Sequence, residues 1–204
     1  MPKVRYLALV AALVMVTSAC GGDGDDDRGE ARQEVASLAA QDLNPAPREG
    51  LKEGGTFVWA LSAYDEQHNM WHVQGNQANV RLVTAAVLPD PTRYDAEGLH
   101  SPNTGFVLDY GVSADGLEVF YELNPDAVWS NGEPITSEDY HAQLKTVSGE
   151  REGDWELGGT AGYDQVTEFV PGEDDYSFTL RFDEPYSEWP SLFSPLYPKE
   201  YMED

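Results

Sequence analysis

The 204-residue chain holds 37 Asp and Glu against 12 Lys and Arg, a formal charge of -25, with 41% hydrophobic and 11% aromatic residues. This composition excludes a collagen, a coiled coil, a multi-pass membrane protein and a disulfide-built miniature, and so negative a chain opposes binding to a phosphate backbone, so nucleic acid is not an expected partner. The single cysteine cannot close an internal disulfide, and no Cys/His cluster has the spacing of a structural zinc site.

At the N-terminus, Lys3 and Arg5 precede an apolar run from Tyr6 to Val16, followed by Thr17, Ser18, Ala19 and Cys20. Basic residues, a short apolar stretch and small residues in that order describe a secretory signal over residues 1–19. The stretch is too short to span a bilayer, since a helix rises about 1.5 Å per residue against a hydrocarbon core of roughly 30 Å. Thr17-Ser18-Ala19-Cys20 resembles a bacterial lipobox, with Thr17 where an aliphatic residue is usual. The resemblance implies acylation of Cys20, whose two thioether-linked acyl chains would give a durable membrane anchor where one chain binds only marginally. From residue 20 to residue 50 the chain is acidic and rich in small residues and has no aromatic side chain. It cannot offset the entropy of ordering itself and is expected to be a flexible tether. The Asp23 to Asp27 cluster lacks the twelve-residue calcium loop with its terminal glutamate, so no calcium site is expected there.

Residues 51–204 are expected to hold the folded body. Thr56-Phe57-Val58-Trp59-Ala60-Leu61 is dense in β-branched and aromatic residues and predicts a buried strand, with Trp59 in the core. Ser62 to His68 is polar and predicts a loop. Gln74 to Val87 carries Val80, Leu82, Val83, Ala86 and Val87 near helical spacing, and Pro89 and Pro91 end it. Val112 to Gly116 is a turn signal. Leu117 to Leu123 then alternates polar with apolar, as a strand with one covered face does. Asn124-Pro125-Asp126 turns the chain, Ala127 to Ser130 predicts a short second strand, and Asn131-Gly132 predicts a tight turn.

Thr136 can cap a helix whose first turn holds Glu138 and Asp139, with Asp139 at the capping-box position. Tyr140, Leu144 and Val147 form its apolar face, and Gly149 stops it. Ser148 to Gly162 has five glycines and no apolar period and is expected to be a loop. Tyr163 to Val170 and Tyr176 to Phe182 predict an antiparallel pair with one buried side. Trp129 is expected in the core, Trp71 stands between core and cleft rim, and Tyr186 and Trp189 are expected to pin the last segment to the sheet.

The run Ser113-Ala-Asp-Gly-Leu-Glu-Val-Phe-Tyr-Glu-Leu-Asn-Pro-Asp-Ala-Val-Trp-Ser-Asn-Gly-Glu-Pro-Ile-Thr-Ser-Glu-Asp139 closely resembles the signature region of the family 5 extracellular solute-binding proteins, the peptide- and nickel-type receptors of ABC importers. In the family's own order, Gly54-Gly-Thr-Phe-Val-Trp59 looks like its first strand, Gly162-Tyr-Asp-Gln-Val166 like its middle hairpin entry and Glu184-Pro-Tyr-Ser-Glu-Trp-Pro-Ser-Leu-Phe193 like a segment of its first lobe. The resemblance implies a mixed α/β lobe, part of a two-lobe, type II periplasmic-binding-protein-like fold. It further implies that residues 51–204 are the N-terminal part of a longer solute-binding domain. Its implied partners are an oligopeptide or other small solute, an ABC importer permease, and the lipid membrane through Cys20, on the extracytoplasmic side.

By the same resemblance the loop after the first strand faces the cleft. Ser62, Tyr64, Glu66 and Trp71 are the candidate ligand contacts. Tyr64 offers an apolar face with a hydroxyl, and Glu66 could meet a ligand amine. No catalytic residues, cofactor or metal are expected. Ser62, Asp65 and His68 contain triad residue types but no Gly-x-Ser-x-Gly elbow places a serine. His68 and His72 lack the His-Glu-x-x-His arrangement. The competing reading is a lipid-anchored surface module that binds a partner through exposed aromatics and takes no part in transport.

Overall fold

A computed structural model describes residues 47–150, 156–160 and 162–203. The predicted signal, Cys20 and nearly all of the tether lie outside the described residues. The chain divides into two units, Met1–Val58 and Trp59–Asp204. In the first, a 3-10 turn at Arg48–Gly50 leads into irregular chain with Leu51, Phe57 and Val58 exposed.

The strand predicted over Thr56 to Leu61 does not form. Those residues have no strand assignment, and Phe57, Val58 and Trp59 are 82%, 84% and 63% exposed, so Trp59 is not a core residue. An apolar run becomes a strand only where a neighbour supplies a hydrogen-bonding edge. Among the described residues the named strands all lie from residue 92 onward, and none of them pairs with Thr56 to Leu61.

In the second unit, α1 (Ala78–Val87) follows the irregular stretch, and β1 (Thr92–Tyr94) pairs antiparallel with β2 (His100–Pro102). Four strands then build the main sheet: β3 (Val107–Val112), β4 (Glu118–Leu123), β5 (Val166–Pro171) and β6 (Ser177–Phe182), in the order β3-β4-β6-β5 and antiparallel throughout. Between β4 and β5 lies α2 (Ser137–Val147), and α3 (Glu200–Glu203) closes the described chain.

The sheet follows from alternation. Val119, Tyr121 and Leu123 of β4 and Phe178, Leu180 and Phe182 of β6 are buried, while Glu118, Phe120, Glu122 and Arg181 face outward. Val119 pairs with Leu180 and Tyr121 with Phe178, so the two apolar rows coincide, and a slip of one residue would expose both. On the outer face Arg181 bridges Glu118 at 2.9 Å and Glu168 at 2.6 Å, which ties β4, β6 and β5 together.

β3 was not expected from the sequence. Its register shifts between Val107 and Asp109, and Gly111 lies under the Phe120 ring, where an added Cβ would come within 2.6 Å of ring carbons. In α1 the buried side chains are Val80 and Thr84, so of the apolar set read from the sequence Val80 is buried and Val83 half-buried, whereas Leu82, Ala86 and Val87 are exposed. The segment Ala127 to Ser130 forms no strand. It makes a single bridge from Val128 to Pro134 around the Gly132 turn, too short a ladder to count as a strand.

α2 starts as its sequence dictates: the Thr136 backbone N–H donates to the Asp139 carboxylate at 2.9 Å, completing the capping box. Its Tyr140, Leu144 and Val147 are buried, and Gly149 takes a φ of 85 just past its end. Tyr140 meets Phe178 at 5.1 Å and Phe193 at 4.9 Å between ring centroids, and Phe178 stacks on Tyr121 at 4.7 Å. Each such side chain removed from water contributes about 1.5–3 kcal/mol, with aromatic pairing adding roughly 1 kcal/mol. Trp189, Leu192, Phe193, Leu196 and Tyr197 cover the other side of this core, and Tyr186 packs against it, as the sequence suggests.

Candidate functional site

The loop from Ser62 to Trp71 is irregular but tied at several points. Ser62 donates from Oγ to Asn79 Oδ1 of α1 at 3.3 Å. Gln67 Oε1 accepts the Asn69 N–H at 2.9 Å, and Asn69 Oδ1 accepts the Trp71 N–H at 3.0 Å, so the two amide side chains fold the loop on itself. Beyond it, the Trp71 carbonyl accepts the Gly158 N–H at 2.9 Å and the Val73 N–H reaches the Glu156 carbonyl at 2.7 Å.

These ties separate the four candidate residues into two groups. Ser62, Tyr64 and Glu66 are exposed, with Tyr64 at 84%. Trp71 turns inward, half-buried against the core, its ring edge-on to Tyr163 at 5.1 Å and 75°. Its indole N–H is buried and meets no acceptor among the described residues. His72 pairs with Leu157 in an isolated bridge and its Nδ1 accepts the Gln74 N–H at 3.2 Å. Among the described residues no group of three or more His, Cys, Asp or Glu is placed to hold a metal ion, and no helix is long and apolar enough to cross a membrane.

A concavity of about 740 Å³ lies elsewhere on the lobe. Its walls are the turn carrying Trp129, the start of α2, and the segment around Lys199 and Tyr201, and none of the four candidates lines it. Trp129 is half-buried and packs against the core from this wall. Asp139, 3% exposed, accepts the Thr136 N–H at 2.9 Å and the Lys199 N–H at 3.0 Å, so one carboxylate joins helix start and C-terminal segment. Burial pushes the Asp139 carboxyl above its ordinary pKa, against the opposing pull of these N–H groups and the Trp129 side chain. Lys199 also pairs with Glu138 and lowers its pKa. Sequence reasoning treated Trp129 to Asp139 as a fold signature, and the signal that could have marked it as a wall is the close spacing of an aromatic, a tight turn and an acidic helix start.

The lobe therefore offers enclosure, aromatic surface and hydrogen-bonding groups. The model of the bacterial extracellular solute-binding proteins, family 5, middle region, matches residues 102–203, half of the chain. The chain belongs to this family. The oligopeptide-binding proteins OppA of Mycobacterium tuberculosis and Mycobacterium bovis are each 28% identical to it over 199 residues, which covers 94% of this chain and 34% of theirs. This family 5 chain thus spans about a third of the length of the curated relatives it matches.

Among solved structures, the periplasmic EDTA-binding protein EppA aligns with a TM-score of 0.61 and 30% identity over 67% of this chain and 26% of its own. NikA from Brucella suis, solved in complex with Fe(III)-EDTA, aligns with a TM-score of 0.52 and 20% identity over 66% of this chain and 25% of its own. The second likeness is one of fold. The mixed helix-and-sheet lobe is part of a type II periplasmic-binding-protein fold, as the resemblance in the sequence implies.

Proposed function

We propose that this family 5 chain is the N-terminal part of a lipid-anchored receptor that captures peptides or similar small solutes outside the cytoplasmic membrane and delivers them to an ABC importer. The observation that carries the reading is the family match over residues 102–203, joined to likeness with oligopeptide-binding relatives across 94% of the chain. A receptor of this kind needs no catalytic group. Two lobes closing over a solute replace the water hydrogen bonds of its amides with fixed protein groups, and an unreplaced buried amide costs about 1–3 kcal/mol.

On this reading Ser62, Tyr64 and Glu66 present polar groups and an aromatic face on the cleft side, and Trp71 anchors the loop at the rim. An acylated Cys20 would hold the receptor at the membrane surface, and the acidic stretch after it would give the lobe reach toward the permease. The test is a tryptophan-fluorescence titration of protein expressed from the whole open reading frame with a mixed library of di- to pentapeptides. A saturable change supports the proposal, and a flat response across the library rejects it.

A further inference from the structure

The loop that carries the candidate contacts is irregular, yet its C-terminal arm is gripped by groups more than a hundred residues away. The Tyr197 hydroxyl donates to the His68 carbonyl at 2.8 Å and accepts the Met70 N–H at 2.9 Å. One phenol oxygen thus fixes both a donor and an acceptor of the main chain immediately before Trp71. Tyr197 is 6% exposed and its own backbone N–H donates to Gln143 Oε1 at 2.9 Å.

Gln143 is fully buried in the middle of α2, and its Nε2 donates to the Tyr163 hydroxyl at 3.0 Å and to the Pro195 carbonyl at 3.1 Å. The Tyr163 hydroxyl in turn accepts the Phe193 N–H at 2.6 Å, and its ring lies against Trp71. The buried amide, bonded to the Tyr163 phenol and to the Tyr197 backbone, therefore links the two tyrosines, and the Gln143 oxygen and both its amide hydrogens are used. One end of the network holds the peptide backbone at Met70, and the other holds the ring that Trp71 rests on.

From this geometry we infer that Tyr197, oriented by Gln143, is a positioning residue for solute recognition, which sets where the arm His68 to Trp71 stands beside the cleft. The inference rests on the reading of this loop as the recognition loop and adds the residues that hold it in place. Simple packing would need only the Tyr197 ring. The hydroxyl is what makes contact with the loop, in both hydrogen-bonding directions, and it must stay protonated to donate. Burial, the largest influence, pushes its pKa up to about 12, so it remains a phenol throughout the physiological range.

The test is residue-resolved amide hydrogen exchange on the full-length protein, wild type and Tyr197→Phe, followed by titration of both with a mixture of tri- to pentapeptides. In the wild type, the Met70 amide should exchange at least about tenfold more slowly than an unprotected amide, although it lies in no helix or strand. Tyr197→Phe keeps the ring and removes the hydroxyl. It should speed exchange at Met70 about fivefold or more, leave β4 and β6 amides unchanged, and weaken peptide binding about three- to tenfold. Tyr94→Phe, on an exposed ring of β1 away from both the loop and the concavity, should change neither.

An unprotected Met70 in the wild type overturns the inference, and this measurement decides even if Tyr197→Phe fails to fold. Unaltered exchange at Met70 in the variant overturns it too, as does Met70 exchange that rises while peptide affinity stays the same. If Met70 responds and the wild-type protein binds no peptide in the mixture, the loop-holding role of Tyr197 stands and the transport reading falls.

Discussion

Asp139→Asn is a near-isosteric change that isolates the clasp at the start of α2. The two carboxylate oxygens accept separate backbone donors, Thr136 N–H at 2.9 Å and Lys199 N–H at 3.0 Å. An asparagine keeps one acceptor oxygen and turns an N–H₂ toward the other donor. One main-chain N–H at a site only 3% exposed then lacks an acceptor, at a cost of about 1–3 kcal/mol. A protonated aspartate keeps lone pairs on both oxygens and is not equivalent to asparagine. Opposing this loss, the substitution removes a desolvated charge, and burial raises the Asp139 pKa more than its hydrogen bonds lower it.

The sign of the pH dependence follows from that direction. A carboxyl whose pKa is higher folded than unfolded stabilises the fold fully below its unfolded pKa, and that contribution is lost as pH rises through the folded value. The Asp139→Asn penalty should therefore be largest below the ordinary aspartate pKa and shrink as pH rises through the raised folded value. Urea unfolding followed by tryptophan fluorescence at several pH values measures it, with an unchanged slope and a shifted midpoint expected. A variant as stable as the wild type at every pH would refute the clasp, and a penalty that grows with pH would refute the dominance of burial.

Phe178→Ala removes the ring that touches Tyr121, Tyr140 and Phe169 at 4.7, 5.1 and 4.8 Å and should cost about 3–5 kcal/mol; a loss below about 1.5 kcal/mol in chemical denaturation would show that the core collapses into the gap. Gly162→Ala imposes a side chain at a φ of 88 and sets its Cβ within 2.3 Å of the Tyr186 hydroxyl, so calorimetry should show a loss of about 1–3 kcal/mol. Adding Tyr186→Ala should relieve the clash but not the backbone strain, and full recovery in the double variant would contradict that division.

What could be read in the sequence was what depends on neighbours along the chain. The alternation of Glu118 to Leu123 and the Thr136/Asp139 capping box are local patterns, and both form with the expected faces and partners. The family signature was visible for the same reason. The strand at Val107–Val112 was hidden because Asp109 and Gly111 interrupt its apolar pattern, and its pairing to β4 accommodates both through an irregular register and the Phe120 ring. Thr56 to Leu61 failed in the opposite sense, since its residues suit a strand but no described ladder includes them.

The candidate site divides along the same line. The loop between Ser62 and His68 was legible from its polarity. Trp71 stood undecided because its burial depends on Tyr163, which lies 92 positions further on. Gln143 sits three positions after Tyr140 and one before Leu144, on the face that is buried, yet a polar residue in a helix carries no local mark of that role. Its hydrogen-bond partners are 20, 52 and 54 residues away, beyond the reach of any local pattern.

The most direct measurement is native mass spectrometry of the protein purified from the whole open reading frame, incubated with an equimolar pool of short peptides and then desalted. The account predicts adducts of one peptide per protein that are displaced by excess of a second peptide. A spectrum showing only the unliganded mass across the whole pool would contradict a peptide-capturing receptor.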